Sequence, residues 1–262
     1  MSTWQTLKLV QDTPRVCTLV LNRPERRNAI NRQMALDLLD ALTQLRQRRD
    51  LRVLVLTGEG SAFCAGGDLK DRFDAGASEA SRQRNVLLDA LAVLDGFPCP
   101  VIAMLNGAAL AGGFEVALAC DIRVASHDAL VGLPEVRTAG GFPGGGGPVR
   151  LERLMGRGHA SLVVLTGRTF TAAEALSMGM VDTVHSADRL QHETAQLAAQ
   201  IAANSPLAVS QARELLRRSA DLDLPAAIAL SREMRDPLDH SPDALEAVSA
   251  WRERRPPIFQ DR

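Results

Sequence analysis

The sequence lacks tyrosine altogether, and only 3% of its 262 residues are aromatic. Proteins that hold single-stranded nucleic acid stack its bases on aromatic side chains, so this scarcity argues against such a surface. The chain also lacks an excess of charge, because 30 basic residues are balanced by 31 acidic ones. A net charge of −1 excludes the broad basic surface on which non-specific nucleic-acid binding depends. We therefore expect no nucleic-acid partner.

The sequence has little cysteine, and its four cysteines are widely spaced (Cys17, Cys64, Cys99 and Cys120). No Cys-x-x-Cys pair or neighbouring histidine is present, so the pattern fits neither a disulfide framework nor a zinc site. The first six residues contain no basic or long apolar region of the kind that begins a secretory signal. These features predict reduced, packed thiols, no bound metal and a cytoplasmic location.

An uninterrupted apolar run of membrane-spanning length is also missing. Residues 99–120 come closest, with Glu115 as their one charged residue, but Pro100 and the Asn106-Gly107 pair interrupt them. We interpret the segment as a buried strand, a turn and a buried helix, and we expect no membrane partner. A lone carboxylate in so apolar a segment is costly unless it has a function. Glu115 is therefore the first candidate functional residue.

Short apolar runs alternate with helical patterns over the first two thirds of the chain. This alternation favours an α/β fold whose sheets are buried on both faces. Residues 70–90 are polar and irregular, and they predict a mobile loop in which a helix begins near Arg82. The predicted strands lie at 16–21, 53–56, 101–105, 121–125 and 180–184.

From residue 187 onward the sequence contains only helix signals. Ser205 and Ser241 each precede a proline, which places a capping residue before the first helical position. The helices that follow carry apolar stripes, which must be buried on the core or on another subunit. We therefore divide the chain into an α/β core with the binding and catalytic loops (residues 1–200) and a C-terminal helical segment (201–262).

Glycine clusters are the strongest local signal. We expect each cluster to lie where a strand passes into a helix, so that backbone N–H groups are open to a ligand. Two such N–H groups aimed at one point would form an oxyanion hole, whereas tight turns are the alternative for any single cluster. The spacing fits no dinucleotide or P-loop motif, and the chain contains no Gly-x-Ser-x-Gly or His-Glu-x-x-His motif. The clusters lie at 65–68, 111–113 and 142–147.

Two glutamates stand close to these clusters. Glu115 comes three residues after Gly112, one turn into the predicted helix, and Glu135 precedes the third cluster at the start of a predicted loop. A structural salt bridge is the alternative for each carboxylate alone. Two carboxylates that flank glycine-rich helix starts favour a shared catalytic role over two separate salt bridges.

Several motifs, in order along nearly the whole chain, resemble the enoyl-CoA hydratase/isomerase family, the crotonases. They are 22–31 (NRPERRNAIN), 63–70 (FCAGGDLK), 106–115 (NGAALAGGFE), 133–135 (LPE), 166–182 and 254–259 (RRPPIF). The resemblance implies a crotonase-like α/β core of repeated β-β-α units with buried sheets, followed by a C-terminal α-helical trimerisation segment. It also implies a homotrimer, or a hexamer built as a dimer of trimers.

The same resemblance implies an acyl-CoA thioester as the small-molecule substrate, with its carbonyl oxygen between the backbone N–H groups of Gly67 and Gly112. Glu115 would orient and deprotonate a water molecule for attack at Cβ, and Glu135 would deliver a proton to Cα. Isomerases of the family commonly keep only one of these acids, so the pair favours an enoyl-CoA hydratase, a lyase. No cofactor is implied, since coenzyme A is part of the substrate.

The resemblance also implies where the substrate binds. Coenzyme A would lie along the backbone of residues 65–69, and its phosphates would meet Lys70 and one of Arg23, Arg26 or Arg27. A solvated surface position is the alternative for each of these cations. The implied substrate-binding residues are Ala65, Gly67, Asp68, Leu69, Lys70 and Arg26.

The chain departs from the family pattern between Glu135 and Pro143, where it is one residue longer and contains Ala139-Gly140-Gly141. We expect an unusual acyl pocket there, one that could admit a branched or dicarboxylic acyl group as in methylglutaconyl-type hydratases. The alternatives are a Δ3-Δ2 enoyl-CoA isomerase, another acyl-CoA enzyme of the family, and a non-catalytic or RNA-binding member.

Overall fold

The computed structural model describes residues 4–260, and for 72–81 it describes the backbone but not the side chains. Residues 1–3 and 261–262, at the ends of the two predicted units, lie outside this range. The strands are β1 (Leu7–Thr13), β2 (Val16–Leu21), β3 (Val53–Gly58), β4 (Ala62–Cys64), β5 (Val101–Leu105), β6 (Ala108–Leu110), β7 (Ile122–Ser126), β8 (Leu130–Gly132), β9 (Phe170–Thr171) and β10 (Thr183–His185). The helices are α1 (Arg32–Leu45), α2 (Leu69–Asp95), α3 (Gly112–Leu118), α4 (Glu135–Thr138), α5 (Gly147–Thr166), α6 (Ala172–Ser177), α7 (Ala187–Ala202), α8 (Pro206–Ser219), α9 (Leu224–Arg235) and α10 (Pro242–Glu253). Up to residue 260, the elements that follow β10 are all helices, as predicted.

The larger sheet has six strands in the order β1-β2-β3-β5-β7-β10. β1 and β2 pair antiparallel, and the other neighbouring strands are parallel. All six residues of β3 are buried, as expected for a short apolar strand covered on both faces. One face of the sheet packs against α1 and α2, and α7 covers the other. This arrangement confirms the predicted α/β fold with buried sheets.

The smaller sheet positions the glycine-rich segments. Its order is β4-β6-β8-β9, with β4, β6 and β8 parallel and β9 antiparallel to β8. Cys64 on β4 pairs with Ala109 on β6. Because β4 and β6 are parallel neighbours, both run out at the same edge of the sheet. The segments that follow them, 65–68 and 111–113, are therefore brought side by side.

Residues 99–120 fold as β5, a turn, β6 and α3. The predicted strand, turn and helix are therefore present, with the short strand β6 between the turn and the helix. At the turn, the side-chain amide of Asn106 donates hydrogen bonds to the carbonyls of Gly58 and Gly60, at 2.9 and 2.8 Å. A Cβ on Gly107 would lie 2.1 Å from the carbonyl oxygen of Ser61, so this close approach requires glycine. No helix among residues 4–260 combines the length and the apolar composition that a bilayer crossing requires.

The prediction of a loop before Arg82 was wrong, because the backbone is already helical from Leu69 and stays so to Asp95, whereas the helix expected from near Arg82 onward is present. The side chain of Asp68 caps this helix by accepting a hydrogen bond from the N–H of Asp71 at 3.3 Å. Farther along, Leu87, Leu91 and neighbouring apolar residues pack against the core and supply the buried face that a helix needs. The first half of α2 is polar, so the sequence offers little indication of this buried face.

The C-terminal helices confirm the predicted caps. Ser205 accepts a hydrogen bond from the N–H of Ala208, and Ser241 accepts one from the N–H of Ala244.

Several large apolar side chains of the C-terminal helices are exposed to solvent in the single chain, and Trp251 is exposed over 79% of its surface. The others include Leu216, Leu224, Ile228, Leu245, Val248 and Ile258. Such a concentration of exposed apolar surface is typical of an interaction site.

Candidate active site

A cleft of about 340 Å³ lies at the edge of the smaller sheet, between α2, α3 and the loop after α4. Both predicted catalytic glutamates and both predicted oxyanion glycines line it, together with two of the predicted coenzyme A contacts. These residues are Ala65, Gly67, Leu69, Gly112, Glu115 and Glu135. Residues separated by up to 70 positions in the sequence thus meet in one concave site.

Glycine allows the two backbone segments of this cleft to touch. A Cβ on Gly66, whose φ is +99°, would lie 2.7 Å from the Cβ of Ala111. A Cβ on Gly113 would lie 2.4 Å from the carbonyl oxygen of Cys64. Ala111 itself has a φ of +51°, a conformation that is strained for any residue except glycine. The end of β4 and the start of α3 are therefore packed backbone to backbone.

Among the described residues, the N–H groups of Gly67 and Gly112 have no backbone acceptor at this junction. Gly67 forms a parallel bridge with Ile30, in which the N–H of Ile30 donates to Gly66 and the N–H of Asp68 donates to Ile30. Since N–H groups alternate in direction along an extended segment, the N–H of Gly67 points away from Ile30. Gly112 is the first residue of α3, where N–H groups have no acceptor within the helix.

Glu115 is 3% exposed, on the buried side of α3. Its Oε1 accepts hydrogen bonds from the N–H groups of Gly145 (2.7 Å) and Gly147 (2.9 Å). Burial raises the pKa of this carboxyl group, while the two hydrogen bonds and the nearby Arg150 oppose the rise. A carboxyl group with a raised pKa can exchange a proton closer to neutral pH than an exposed one.

The third glycine cluster corrects an expectation. It lies between two helices, α4 and α5, and not between a strand and a helix. Its N–H groups hold the side chain of Glu115, and a Cβ on Gly145 would lie 2.6 Å from Oε2 of that glutamate. Glycine is therefore needed at position 145 so that the loop can wrap around the carboxylate.

Glu135 approaches the cleft from a different element. It is the first residue of α4, a short helix where a loop start was predicted, and it is half-buried. Glu115 and Glu135 thus line one cleft without sharing a backbone element.

The predicted coenzyme A contacts divide into two groups. Ala65, Gly67 and Leu69 line the cleft, whereas Lys70 and Arg26 are exposed and lie outside its lining. Asp68 is held by Arg23, whose guanidinium lies 3.1 Å from the carboxylate. Arg23 is therefore engaged in an ion pair at this site, whereas the other candidate cations, Arg26, Arg27 and Lys70, are exposed.

Helix α2 also contributes to the cleft, which was not predicted from the sequence. Gln83 is buried and donates a hydrogen bond to the carbonyl of Ile30 at 2.9 Å, and Leu87 lies 3.5 Å from the position of a Cβ on Gly112. Arg84 also lines the cleft. The signal was present, because residues 83, 87 and 91 recur at helical spacing, but the polar residues before them suggested a loop.

All four cysteines are buried free thiols, as predicted. Cys64, which precedes the oxyanion segment, has its pKa raised to about 12 by burial, so it stays protonated and is a poor nucleophile. No group of three His, Cys, Asp or Glu side chains suited to a metal ion is found in the part of the chain that the structure describes.

We expect Glu115→Gln to raise the Tm at neutral and alkaline pH. The carboxylate carries a desolvation cost that glutamine does not, and glutamine Oε1 can still accept from Gly145 and Gly147. Because the pKa of Glu115 is raised above its usual 4.5, its protonation stabilises the folded wild type. That stability is fully present below about pH 4.5 and is lost as the pH rises through the raised pKa.

The measurement is thermal unfolding of both proteins by circular dichroism between pH 5 and pH 8. A Tm difference of about 2–5 °C in favour of the variant at pH 8 is expected to shrink toward pH 5. A variant that is less stable than the wild type at pH 8 would contradict the assignment of a desolvation cost to Glu115.

Comparison with known proteins gives consistent matches over the whole fold. The profile of a family described as enoyl-CoA hydratase/isomerase matches residues 12–262. The chain is 37% identical over 254 residues to 2,3-dehydroadipyl-CoA hydratase from Escherichia coli, covering 97% of this chain and 98% of that protein. It is 36% identical to an enoyl-CoA isomerase/hydratase from Mycosarcoma maydis, covering 92% and 91% of the two chains. The crystal structure of enoyl-CoA hydratase from Bacillus anthracis superposes with a TM-score of 0.95 at 34% identity, covering 98% of this chain and 100% of that chain.

Proposed function

Because the chain belongs to the enoyl-CoA hydratase/isomerase family, we propose that it is an enoyl-CoA hydratase, a hydro-lyase that adds water across the 2,3 double bond of an acyl-CoA thioester. The observation that carries this proposal is that Glu115 and Glu135 line one cleft with Gly67 and Gly112. Hydration is redox-neutral, and the proposal requires no cofactor other than the coenzyme A of the substrate.

The N–H groups of Gly67 and Gly112 would bind the thioester oxygen. Attack at Cβ moves the double-bond electrons toward the carbonyl and generates an enolate, whose negative oxygen needs hydrogen-bond donors. One such donor typically contributes about 3–4 kcal/mol in a preorganised site. The close packing of residues 66 and 111 supports this role, since it leaves the two donors little freedom to move.

Glu115 would accept a proton from a water molecule as the water oxygen bonds to Cβ, and Glu135 would donate a proton to Cα. The two carboxyl groups exchange protons before the next turnover, so the net reaction consumes one water. The raised pKa of Glu115 supports its role as a proton acceptor close to neutral pH. The separate backbone origins of the two glutamates would let them approach the water from different sides.

Coenzyme A would lie along residues 65–69, with Ala65 and Leu69 in contact and Asp68 contributing through its backbone. The exposed cations Lys70 and Arg26 are candidates for its phosphates. The acyl group would be branched or dicarboxylic, of the methylglutaconyl type, because residues 139–141 extend the loop beside the cleft. The relative from Escherichia coli, named for 2,3-dehydroadipyl-CoA, supports a dicarboxylic substrate.

A panel of 2-enoyl-CoA and 3-enoyl-CoA thioesters tests the reaction. A hydratase removes the conjugated absorbance of the 2-enoyl compounds, whereas a Δ3-Δ2 isomerase creates it from the 3-enoyl compounds. The isomerase is the second candidate, since one relative carries both activities in its name. Absence of turnover of every thioester, together with tight binding of RNA, would overturn the enzyme assignment.

The C-terminal segment 201–262 is proposed to join three chains, in a trimer or in a hexamer of two trimers. Light scattering at micromolar concentration is expected to give three or six times 28.2 kDa. Trp251→Asp is expected to reduce that mass by placing a charge on the exposed apolar surface, whereas Val10→Asp, at an exposed apolar residue of β1, serves as the control. A wild-type monomer would contradict the prediction.

A cytoplasmic location also remains a proposal, based on the reduced cysteines.

A further inference from the structure

Arg84 places a positive charge at the proposed acyl-CoA cleft. Among the described residues that line this cleft it is the one cation, and it shares the lining with the two carboxylates Glu115 and Glu135. Its side chain packs against the loop after α4, where a Cβ on Gly144 would lie 3.0 Å from the Cδ of Arg84. Neither the proposed hydration step nor the binding of the thioester oxygen uses this residue.

The position of Arg84 along α2 places it beside the loop that holds Glu115. Leu69, at the start of α2, and Arg84 are 15 positions apart, about 22 Å along the helix axis. Leu87 and Leu91 lie on the same face of α2 as Arg84. A Cβ on Gly112 would lie 3.5 Å from the Cδ2 of Leu87, and a Cβ on Gly145 would lie 3.0 Å from the Cδ1 of Leu91. Arg84 is therefore about one helical turn from the oxyanion position, next to the loop that flanks the glutamates. Arg84 thus contacts, at Gly144, the loop whose N–H groups hold Glu115. In the proposed mechanism the reacting end of the acyl group lies beside this glutamate.

We propose that Arg84 binds a carboxylate at the far end of the acyl group, so that the protein prefers dicarboxylic 2-enoyl-CoA thioesters over monocarboxylic ones of equal length. The proposal rests on the proposed hydratase function. An acyl carboxylate entering this cleft meets two glutamates of like charge, and a guanidinium offsets that repulsion while forming paired hydrogen bonds. Arg84 already interacts with another group of the chain, but its five N–H donors allow an additional carboxylate partner.

The test compares two pairs of substrates that differ only in the terminal carboxylate. They are glutaconyl-CoA against 2-pentenoyl-CoA, and 2,3-dehydroadipyl-CoA against 2-hexenoyl-CoA. In the wild type we expect higher kcat/KM for the dicarboxylic member of at least one pair. Arg84→Gln should lower that value by about 10- to 100-fold and change the monocarboxylic value less than about twofold. Arg84→Lys should restore part of the preference.

Arg82→Gln is the matched control, because Arg82 is an exposed arginine of the same helix that lies outside the cleft lining. It is expected to leave both values unchanged. An equal loss for both members of each pair in Arg84→Gln would assign Arg84 to coenzyme A and overturn the proposal. Equal wild-type values for the two members would overturn it as well.

Binding of saturated analogues separates this proposal from the proposed reaction. Calorimetry of glutaryl-CoA and valeryl-CoA reports on the acyl carboxylate without any turnover. A preference for glutaryl-CoA that Arg84→Gln removes, in a protein that hydrates nothing, would reject the hydratase and retain the carboxylate site. Hydration without any carboxylate preference in rate or binding would retain the hydratase and reject the role of Arg84.

Discussion

Replacing Glu115 with glutamine is expected to lower kcat for hydration by about 100-fold or more, with a far smaller change in KM. Glutamine preserves the size of the side chain and the hydrogen bonds from Gly145 and Gly147, but it cannot accept a proton. In the proposed mechanism substrate binding depends on other atoms, among them the N–H groups of Gly67 and Gly112. The loss should therefore appear in the chemical step, measured as the decrease of enoyl-thioester absorbance.

Glu152→Gln provides the control for this experiment, because Glu152 is exposed on α5 and lies outside the cleft lining. It should retain wild-type kcat and KM. If Glu115→Gln kept near-wild-type hydration while Glu135→Gln abolished all turnover, the two-acid mechanism would be wrong. A reaction with one acid, such as isomerisation, would then be the better interpretation.

The parts of the fold that the sequence predicts are those determined by local chemistry. The strands at 16–21 and 101–105 have the predicted bounds because apolar runs there end at turn residues. Ser205 and Ser241 cap helices because a serine before a proline satisfies free N–H groups within three residues. Each of these features depends only on neighbours in the sequence.

Features that depend on distant residues were not predictable in this way. The N–H groups that hold Glu115 come from residues 30 and 32 positions away, and no local pattern links them. The buried face of α2 becomes recognisable once α1 and the core pack against it. The positive φ of Ala111 is also invisible in the sequence, since an alanine there gives no sign of a strained turn.

The candidate site likewise combines residues that can be selected from the sequence with contacts that depend on the folded chain. The glycines and the two glutamates could be selected from the sequence, because an isolated acid in an apolar segment and repeated glycines are unusual. Their meeting in one cleft depends on the parallel pairing of β4 with β6. Arg84 could not be selected, because nothing in a surface-like polar segment distinguishes a cation that faces a cleft from one that faces solvent.

Glu135→Gln is expected to lower kcat by about 100-fold or more as well, for a different reason. Glutamine at this position cannot donate a proton to Cα, so the enolate forms but is not protonated efficiently. The distinguishing measurement is exchange of the Cα proton of the 3-hydroxyacyl-CoA product with deuterated solvent. This exchange should slow more in Glu135→Gln than in Glu115→Gln, because Glu135 is the group proposed to transfer that proton.

The double variant tests whether the two glutamates act together. Groups that act as a unit are non-additive, so once one proton transfer is lost the other has little left to contribute. We therefore expect Glu115→Gln combined with Glu135→Gln to lose much less than the product of the two single losses. A multiplicative loss, with equal effects of both single variants on Cα exchange, would mean that the carboxyl groups act independently. The assignment of water activation to Glu115 and of Cα protonation to Glu135 would then fail.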